Sequence, residues 1–172
     1  MGIGHDTHRL RPGSRLCLGG IYIPHNRESV GHSDADVLLH AITDALLGAA
    51  ALGDIGEMFP DTDPSNQGKD SAEMLRAARD SVASAGWDIV NLDCIVFAEQ
   101  PKLGPFKRGI QARVAEILGI DPGQVGIKAK TGEGLGAIGR QEAIAAECVA
   151  LLQFRGSSAA TVEENGRKRL VT

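Results

Sequence analysis

Aromatic side chains make up only 3% of this 172-residue chain, with a single Trp and a single Tyr. A core so short of rings must be filled by small aliphatic residues. No basic stripe interleaved with aromatics occurs, and the formal net charge is −4. The electrostatic footprint of a nucleic-acid binder is therefore missing. Cysteines number three, Cys17, Cys94 and Cys148, far apart and without a C-x-x-C pair. This argues against a disulfide framework or a cysteine metal site and for reduced thiols. No apolar run reaches the about 18 residues of a membrane span. The apolar stretch 41–52 is broken by Thr43, Asp44 and Gly48, so it reads as a core helix. No charged-then-apolar leader opens the sequence, so a cytoplasmic protein with no membrane partner is expected.

What is present is concentrated near the start. Gly4-His5-Asp6-Thr7-His8 and Gly31-His32-Ser33-Asp34-Ala35-Asp36-Val37-Leu38-Leu39-His40 hold four of the five histidines. Asp6 and His8 alternate along a predicted strand and so share one face. His40 lies in an apolar-periodic segment that can cross that strand. Two imidazoles and a carboxylate, with a fourth position open, form the ligand set of a catalytic zinc rather than a structural one. Each histidine also has a plainer reading as a hydrogen-bonded side chain. Asp36 and Asp44, four residues either side of His40, are candidates to accept its second ring N–H; as plain helix-face acids or caps they need no metal. His32 and Ser33, just before a helix, suit a phosphate, or Ser33 is a simple cap.

The 172 residues predict one domain with a substantial core. Residues 2–8 read as a first strand, and 15–23 as a hairpin turning at Gly19-Gly20. A helix capped by Ser33 or Asp34 should run to about Leu52, and Gly53-Asp54-Ile55-Gly56 should end it. The loop 57–69 is long and polar, with two prolines, which marks a functional segment. Asp70 should cap a helix to about Ala85, with Glu73 placed as in a capping box. Residues 87–98 read as a strand and 104–118 as a helix closed by Gly119. A strand over 125–129, a glycine-rich loop over 132–139 and a last helix from about Arg140 to Phe154 complete the pattern. Lys128-Ala129-Lys130-Thr131-Gly132-Glu133 leads into that loop, whose backbone can approach a ligand closely. The expectation is an α/β (α+β) domain over 1–154. It comprises a four-stranded mixed sheet with helices on one face and a small N-terminal hairpin, followed by a disordered tail over 155–172.

These segments, in this order, resemble the 2-C-methyl-D-erythritol 2,4-cyclodiphosphate synthase family of the non-mevalonate isoprenoid pathway. The resemblance rests on Asp-x-His near the start and on His-Ser-Asp-Ala-Asp-Val-x-x-His-Ala-x-x-Asp-Ala-Leu-Leu-Gly-Ala. It rests further on Gly-Asp-Ile-Gly-x-x-Phe-Pro-Asp-Thr-Asp-Pro and on Lys-Ala-x-Thr-x-Glu-x-Leu-Gly-x-x-Gly-Arg. It covers about residues 2–154. It implies a homotrimer with active sites between subunits. The implied reaction cyclises 4-diphosphocytidyl-2-C-methyl-D-erythritol 2-phosphate and releases CMP, which makes the enzyme a phosphorus–oxygen lyase.

Carried over by residue, the resemblance implies zinc on Asp6, His8 and His40, and a second cation, magnesium or manganese, on Glu133. His32, Ser33, Thr131 and Glu133 would serve the phosphates. Asp54, Ile55, Gly56, Phe59, Asp61 and Asp63 would hold the methylerythritol. Ala98, Pro101, Lys102 and Leu103 resemble the cytidine pocket, joined by Lys130, while Arg140 resembles a further phosphate or trimer-axis group. Three departures stand out. The family's Gly-x-Gly-x-Asp-x-His reads here as a compressed Gly-His-Asp-Thr-His, Lys130 and Gly132 replace hydroxyls, and Ala137 replaces an aromatic. Two rival classes share some of these features. A zinc hydrolase would use the same ligands but leaves the Lys130–Glu133 loop without a role. A trimeric binding module would need no open metal position, and Lys130 and Gly132 raise a third reading, a relative that binds nucleotide without turnover.

Overall fold

The computed structural model describes residues 1–31, 33–60 and 62–156. His32, Asp61 and 157–172, the bulk of the expected tail, lie outside the described residues. Arg155 does not: its N–H donates to the Gly86 carbonyl, and its guanidinium pairs with Asp88.

Strand β1 spans Gly2–Pro12, longer than the sequence suggested. The hairpin β2 (Arg15–Leu18) and β3 (Ile21–Pro24) turns at Gly19-Gly20 as expected, and it forms a separate two-stranded sheet. Strand β4 (Arg27–Val30) follows. Helix α1 (Val37–Ala49) leads to a one-turn helix α2 (Ile55–Met58). Helix α3 (Ser71–Ser84) is capped by Asp70, as the sequence indicated. Strand β5 (Trp87–Phe97) matches its expected span; helix α4 (Lys107–Leu118) is closed by Gly119 at φ 69° as expected but starts three residues later, after a 3-10 turn over Gly104–Phe106. Strand β6 (Val125–Lys130), the short α5 (Gly136–Gly139) and strand β7 (Ala143–Phe154) complete the chain.

Two expectations are corrected. Residues 143–154 form a strand, preceded by a turn over 140–142, and not a helix. Alanine and leucine favour helix, but Ile144, Ala146, Cys148, Ala150 and Leu152 are buried while Val149 and Leu151 are exposed. That alternation has the period of a strand. β7 sits between β1 and β5 and satisfies both of its edges. The sheet accordingly has five strands, β4-β1-β7-β5-β6, rather than four. The other uncounted strand, β4, is short and sits at an edge, where alternation is faint.

The sheet is mixed: β5 and β6 run parallel, joined through α4, and the other pairings are antiparallel. The helices cover one face. Against them point the small inward residues of β7 and a core of Leu38, Leu39, Ile42, Leu46, Leu92 and Ile110, all essentially without exposure. Each such aliphatic side chain stabilises the fold by about 1.5–3 kcal/mol. The opposite face leaves Ile3, Val149 and Leu151 exposed.

Candidate active site

The site begins with a backbone contact. A Cβ on Gly4 would overlap the carbonyl oxygen of Ala41, and one on Gly2 would overlap that of Ala45. Helix α1 therefore lies directly on β1 with no side chains between them. Period-2 alternation then puts Asp6 and His8 on the same face as Gly2 and Gly4. His40, one residue before Ala41, is delivered to them. This corrects the compressed reading of the N-terminal motif: Gly2-Ile3-Gly4-His5-Asp6-Thr7-His8 is a full Gly-x-Gly-x-Asp-x-His.

Three donor atoms converge. Asp6 Oδ2 lies 2.8 Å from His8 Nε2 and 3.0 Å from His40 Nδ1, and the two ring nitrogens are 3.1 Å apart. A tetrahedral zinc with bonds near 2.0–2.1 Å has ligand–ligand edges of roughly 3.3 Å. The donor set, two imidazoles and one carboxylate, fits a divalent cation and opens on a pocket, leaving room for a further ligand. Burial pushes the Asp6 carboxyl upward, but hydrogen bonds and charge from His40 and His8 outweigh it and hold it well below the carboxylate range. For His8, burial acts downward, and the Asp6 hydrogen bond and charge carry its pKa above the ordinary value.

The outer nitrogens are held as well. His8 Nδ1 lies 3.0 Å from the Val30 carbonyl. A carbonyl only accepts, so Nδ1 carries the proton and Nε2 offers a lone pair. His40 Nε2 has neither Asp36 nor Asp44 as partner; Ser71 Oγ lies 2.8 Å away and Ser33 Oγ 3.1 Å away. Asp36 is instead the buried N-cap of α1. It accepts from Leu38 and Leu39 N–H and from Gly19 and Gly20 N–H, which ties the hairpin turn to the helix. The cap thus lies two residues beyond Asp34, and those N–H groups are taken rather than offered to a phosphate. Asp44 accepts from Ile55 N–H at 2.8 Å and so fixes the start of α2. Burial raises its pKa, against the pull of that hydrogen bond.

The three ligands line a pocket of about 470 Å³ together with Ser33, Asp44, Ile55, Gly56 and Phe59. Asn66 and Met74 also line it and were not singled out from sequence. Asp54 caps α2 through Glu57 N–H, and Asp63 caps the turn at Pro64–Asn66 through Ser65 N–H. His32 and Asp61, both expected here, are outside the described residues. Ser71, Val30 and Asn66 carry no spacing signal toward the ligands: one opens a distant helix, one acts through its backbone, and one lies in a loop.

The remaining candidates lie elsewhere on the chain. Thr131 Oγ1 donates to Glu133 Oε1 at 2.7 Å, and Glu99 Oε2 accepts from Gly132 N–H at 3.1 Å, pinning the loop after β6. Ala98 donates its N–H to the Lys130 carbonyl, which brings the loop after β5 beside it. Ala98 and Leu103 are buried in the core, while Lys102 is exposed. Exposed Arg140 is paired through two nitrogens with Glu142, at 3.0 and 2.9 Å. Asp6 is level with Ala146, Val96 and Ala129 across the sheet. The Lys130–Glu133 loop therefore lies at the same end of the sheet as the ligands, three strand spacings or roughly 14 Å away, while Ala98 follows β5, two spacings away, and Arg140 precedes β7, one spacing away. Within one chain that loop does not meet the ligands.

The YgbB family model matches residues 1–153. A 2-C-methyl-D-erythritol 2,4-cyclodiphosphate synthase of Gemmatimonas aurantiaca is 51% identical over 158 residues, 92% of this chain and 95% of that protein. The synthase of the same name from Bordetella petrii is 57% identical over 152 residues, 88% of this chain and 94% of that protein. A solved 2C-methyl-D-erythritol-2,4-cyclodiphosphate synthase matches with a TM-score of 0.82 at 39% identity, covering 88% of this chain and 99% of its own. A second solved structure of that name, in a CDP-bound form, matches with the same score at 38% identity, covering 88% of this chain and 99% of its own.

Proposed function

This chain belongs to the YgbB family, the 2-C-methyl-D-erythritol 2,4-cyclodiphosphate synthases, and we propose how its residues perform that cyclisation. The substrate is 4-diphosphocytidyl-2-C-methyl-D-erythritol 2-phosphate. An oxygen of its 2-phosphate bonds to the β-phosphorus, the bond from that phosphorus to the bridging oxygen breaks, and the electron pair departs on CMP. Nucleophile and electrophile belong to one molecule, so no protein nucleophile is required. Catalysis is then positioning and charge stabilisation, in a reaction of the phosphorus–oxygen lyase class.

Asp6, His8 and His40 would hold zinc and Glu133 a second divalent cation, magnesium or manganese, and these ions when bound supply positive charge to the phosphate oxygens. Two anionic phosphates brought to ~4 Å repel by several kcal/mol at an effective dielectric near 20, and a chain of net charge −4 has little spare positive charge of its own. Ser33, with His32, restrains the attacking phosphate. Asp54, Ile55, Gly56, Phe59, Asp61 and Asp63 hold the methylerythritol. Pro101, Lys102, Lys130 and Thr131 take the cytidine diphosphate, with Ala98 and Leu103 contributing backbone and Arg140 a further guanidinium.

The two groups of residues meet across subunits of a homotrimer in this reading. Supporting it are their shared end of the sheet, their lateral separation within one chain, and the exposed Ile3, Val149 and Leu151 on the uncovered sheet face, an apolar patch of the kind that marks an interface. A cytoplasmic location is part of the proposal, in keeping with three free cysteines. Among the described residues, no helix is long and apolar enough to cross a membrane.

The convergence of Asp6, His8 and His40 on one point at the pocket wall carries this reading. Phosphorus NMR of the protein incubated with the substrate, zinc and magnesium tests it. CMP should appear together with a cyclic diphosphate. Unchanged substrate, or CMP beside a linear product, would reject it.

A further inference from the structure

We propose that Ser71 and Asp34 form a relay that sets which nitrogen of His40 faces the metal position. The inference rests on the reading that Asp6, His8 and His40 hold a divalent ion. Asp34 sits in the loop before α1, and Ser71 is the first residue of α3, fully buried. The Ser71 hydroxyl donates to Asp34 Oδ1 at 2.5 Å, and the Ser71 N–H lies 3.4 Å from Asp34 Oδ2. On its other side the same hydroxyl oxygen is 2.8 Å from His40 Nε2.

Donor counting fixes the direction. A serine hydroxyl has one proton and two lone pairs, and an ionised carboxylate only accepts. The proton of Ser71 therefore goes to Asp34. Only lone pairs remain for His40, so Nε2 must supply the N–H. The Nδ1 lone pair is then left facing Asp6 and His8. Ser33 fits the same arrangement. Its oxygen accepts from Ala35 N–H at 3.0 Å and lies 3.3 Å from Ser71 Oγ and 3.1 Å from His40 Nε2. A donated proton from Ser33 to Ser71 leaves both serine oxygens as acceptors toward the ring.

The two histidines are thus held differently. His8 is oriented by a neutral backbone carbonyl. His40 is oriented by a hydroxyl that is itself held by a carboxylate. Asp34 and Ser71 are positioning residues: neither offers an atom to the triangle of donors.

The test uses the full chain and zinc, without substrate. Zinc affinity is measured by chelator competition for the wild type, Ser71→Ala and Asp34→Asn, and the ring N–H of His40 is followed by proton–nitrogen NMR in the zinc-loaded protein. We expect Ser71→Ala to weaken zinc roughly 10- to 100-fold and to lose a ring N–H that the wild type protects from solvent. Asp34→Asn should weaken zinc by a smaller factor. A purely structural pair would lower thermal stability while leaving affinity and the ring proton unchanged, and that result overturns the relay. Should Ser71→Ala fail to fold, an unprotected His40 Nε2–H in the wild type overturns it by itself, and a protected one upholds it. A wild type that binds zinc but releases no CMP defeats the functional reading while leaving the relay to stand or fall on its own data; a wild type that binds no zinc defeats both.

Discussion

Gly4 and the Ala41 carbonyl are in such close approach that no side chain fits between them. That contact sets the distance between β1 and α1, and through it the distance from Asp6 and His8 to His40. Gly4→Ala should therefore act on the metal site although it touches none of the ligands. Overpacking of this kind is destabilising by about 1–3 kcal/mol. Thermal melting should show that loss, and zinc titration should show a weaker site. Wild-type zinc affinity in a folded Gly4→Ala protein would contradict this geometry.

His40→Ala removes one of three ligands and leaves the core untouched, because His40 is at the pocket wall and its neighbours Leu39 and Ile42 do the packing. Metal analysis should find zinc lost and turnover reduced by orders of magnitude, with the circular-dichroism spectrum preserved. Normal turnover in a zinc-free sample would reject the ligand assignment.

The ligands were legible because strand alternation and the 3.6-residue helix period each place side chains on a face, and glycine at 2 and 4 lets those faces touch. The supports of the ligands were not. Val30 acts through a carbonyl that any residue carries, and Ser71 is separated from His40 by 30 intervening positions with no periodic relation. Strand β7 was misread because its inward Ala146 and Ala150 are small to admit α1, and alanine is the best helix former. The burial alternation from Cys148 to Leu152 shows only in the structure, because the exposed Val149 and Leu151 are as apolar as the buried residues between them.

Acidity should compete with the metal. The pKa of His8 is raised in the metal-free fold, so its ring holds a proton above the ordinary pKa of about 6.5. Zinc must displace that proton. Apparent zinc affinity should fall as the pH drops through this raised value, by about tenfold per pH unit for one displaced proton. Asp6, held well below the usual carboxylate range, stays ionised throughout. Competition titrations between pH 8 and 5.5 measure this, and an affinity independent of pH would contradict it.

Val149 lies on the sheet face that the helices leave open. Val149→Asp should keep zinc binding, because all three proposed ligands belong to one chain, yet lose the proposed trimer and with it the activity. Sedimentation velocity and zinc titration on the same sample separate these effects. A trimeric, active Val149→Asp protein would place the interface elsewhere.

The proposed site is shared between chains, with zinc ligands from one and Thr131 and Glu133 from its neighbour. Co-folding equimolar His40→Ala and Glu133→Gln, each impaired by itself, tests this most directly. Random assortment leaves roughly one site in four with both wild-type halves, so activity should return to about a quarter of the wild-type level. Activity no higher than the average of the two separate variants would show that each chain works alone.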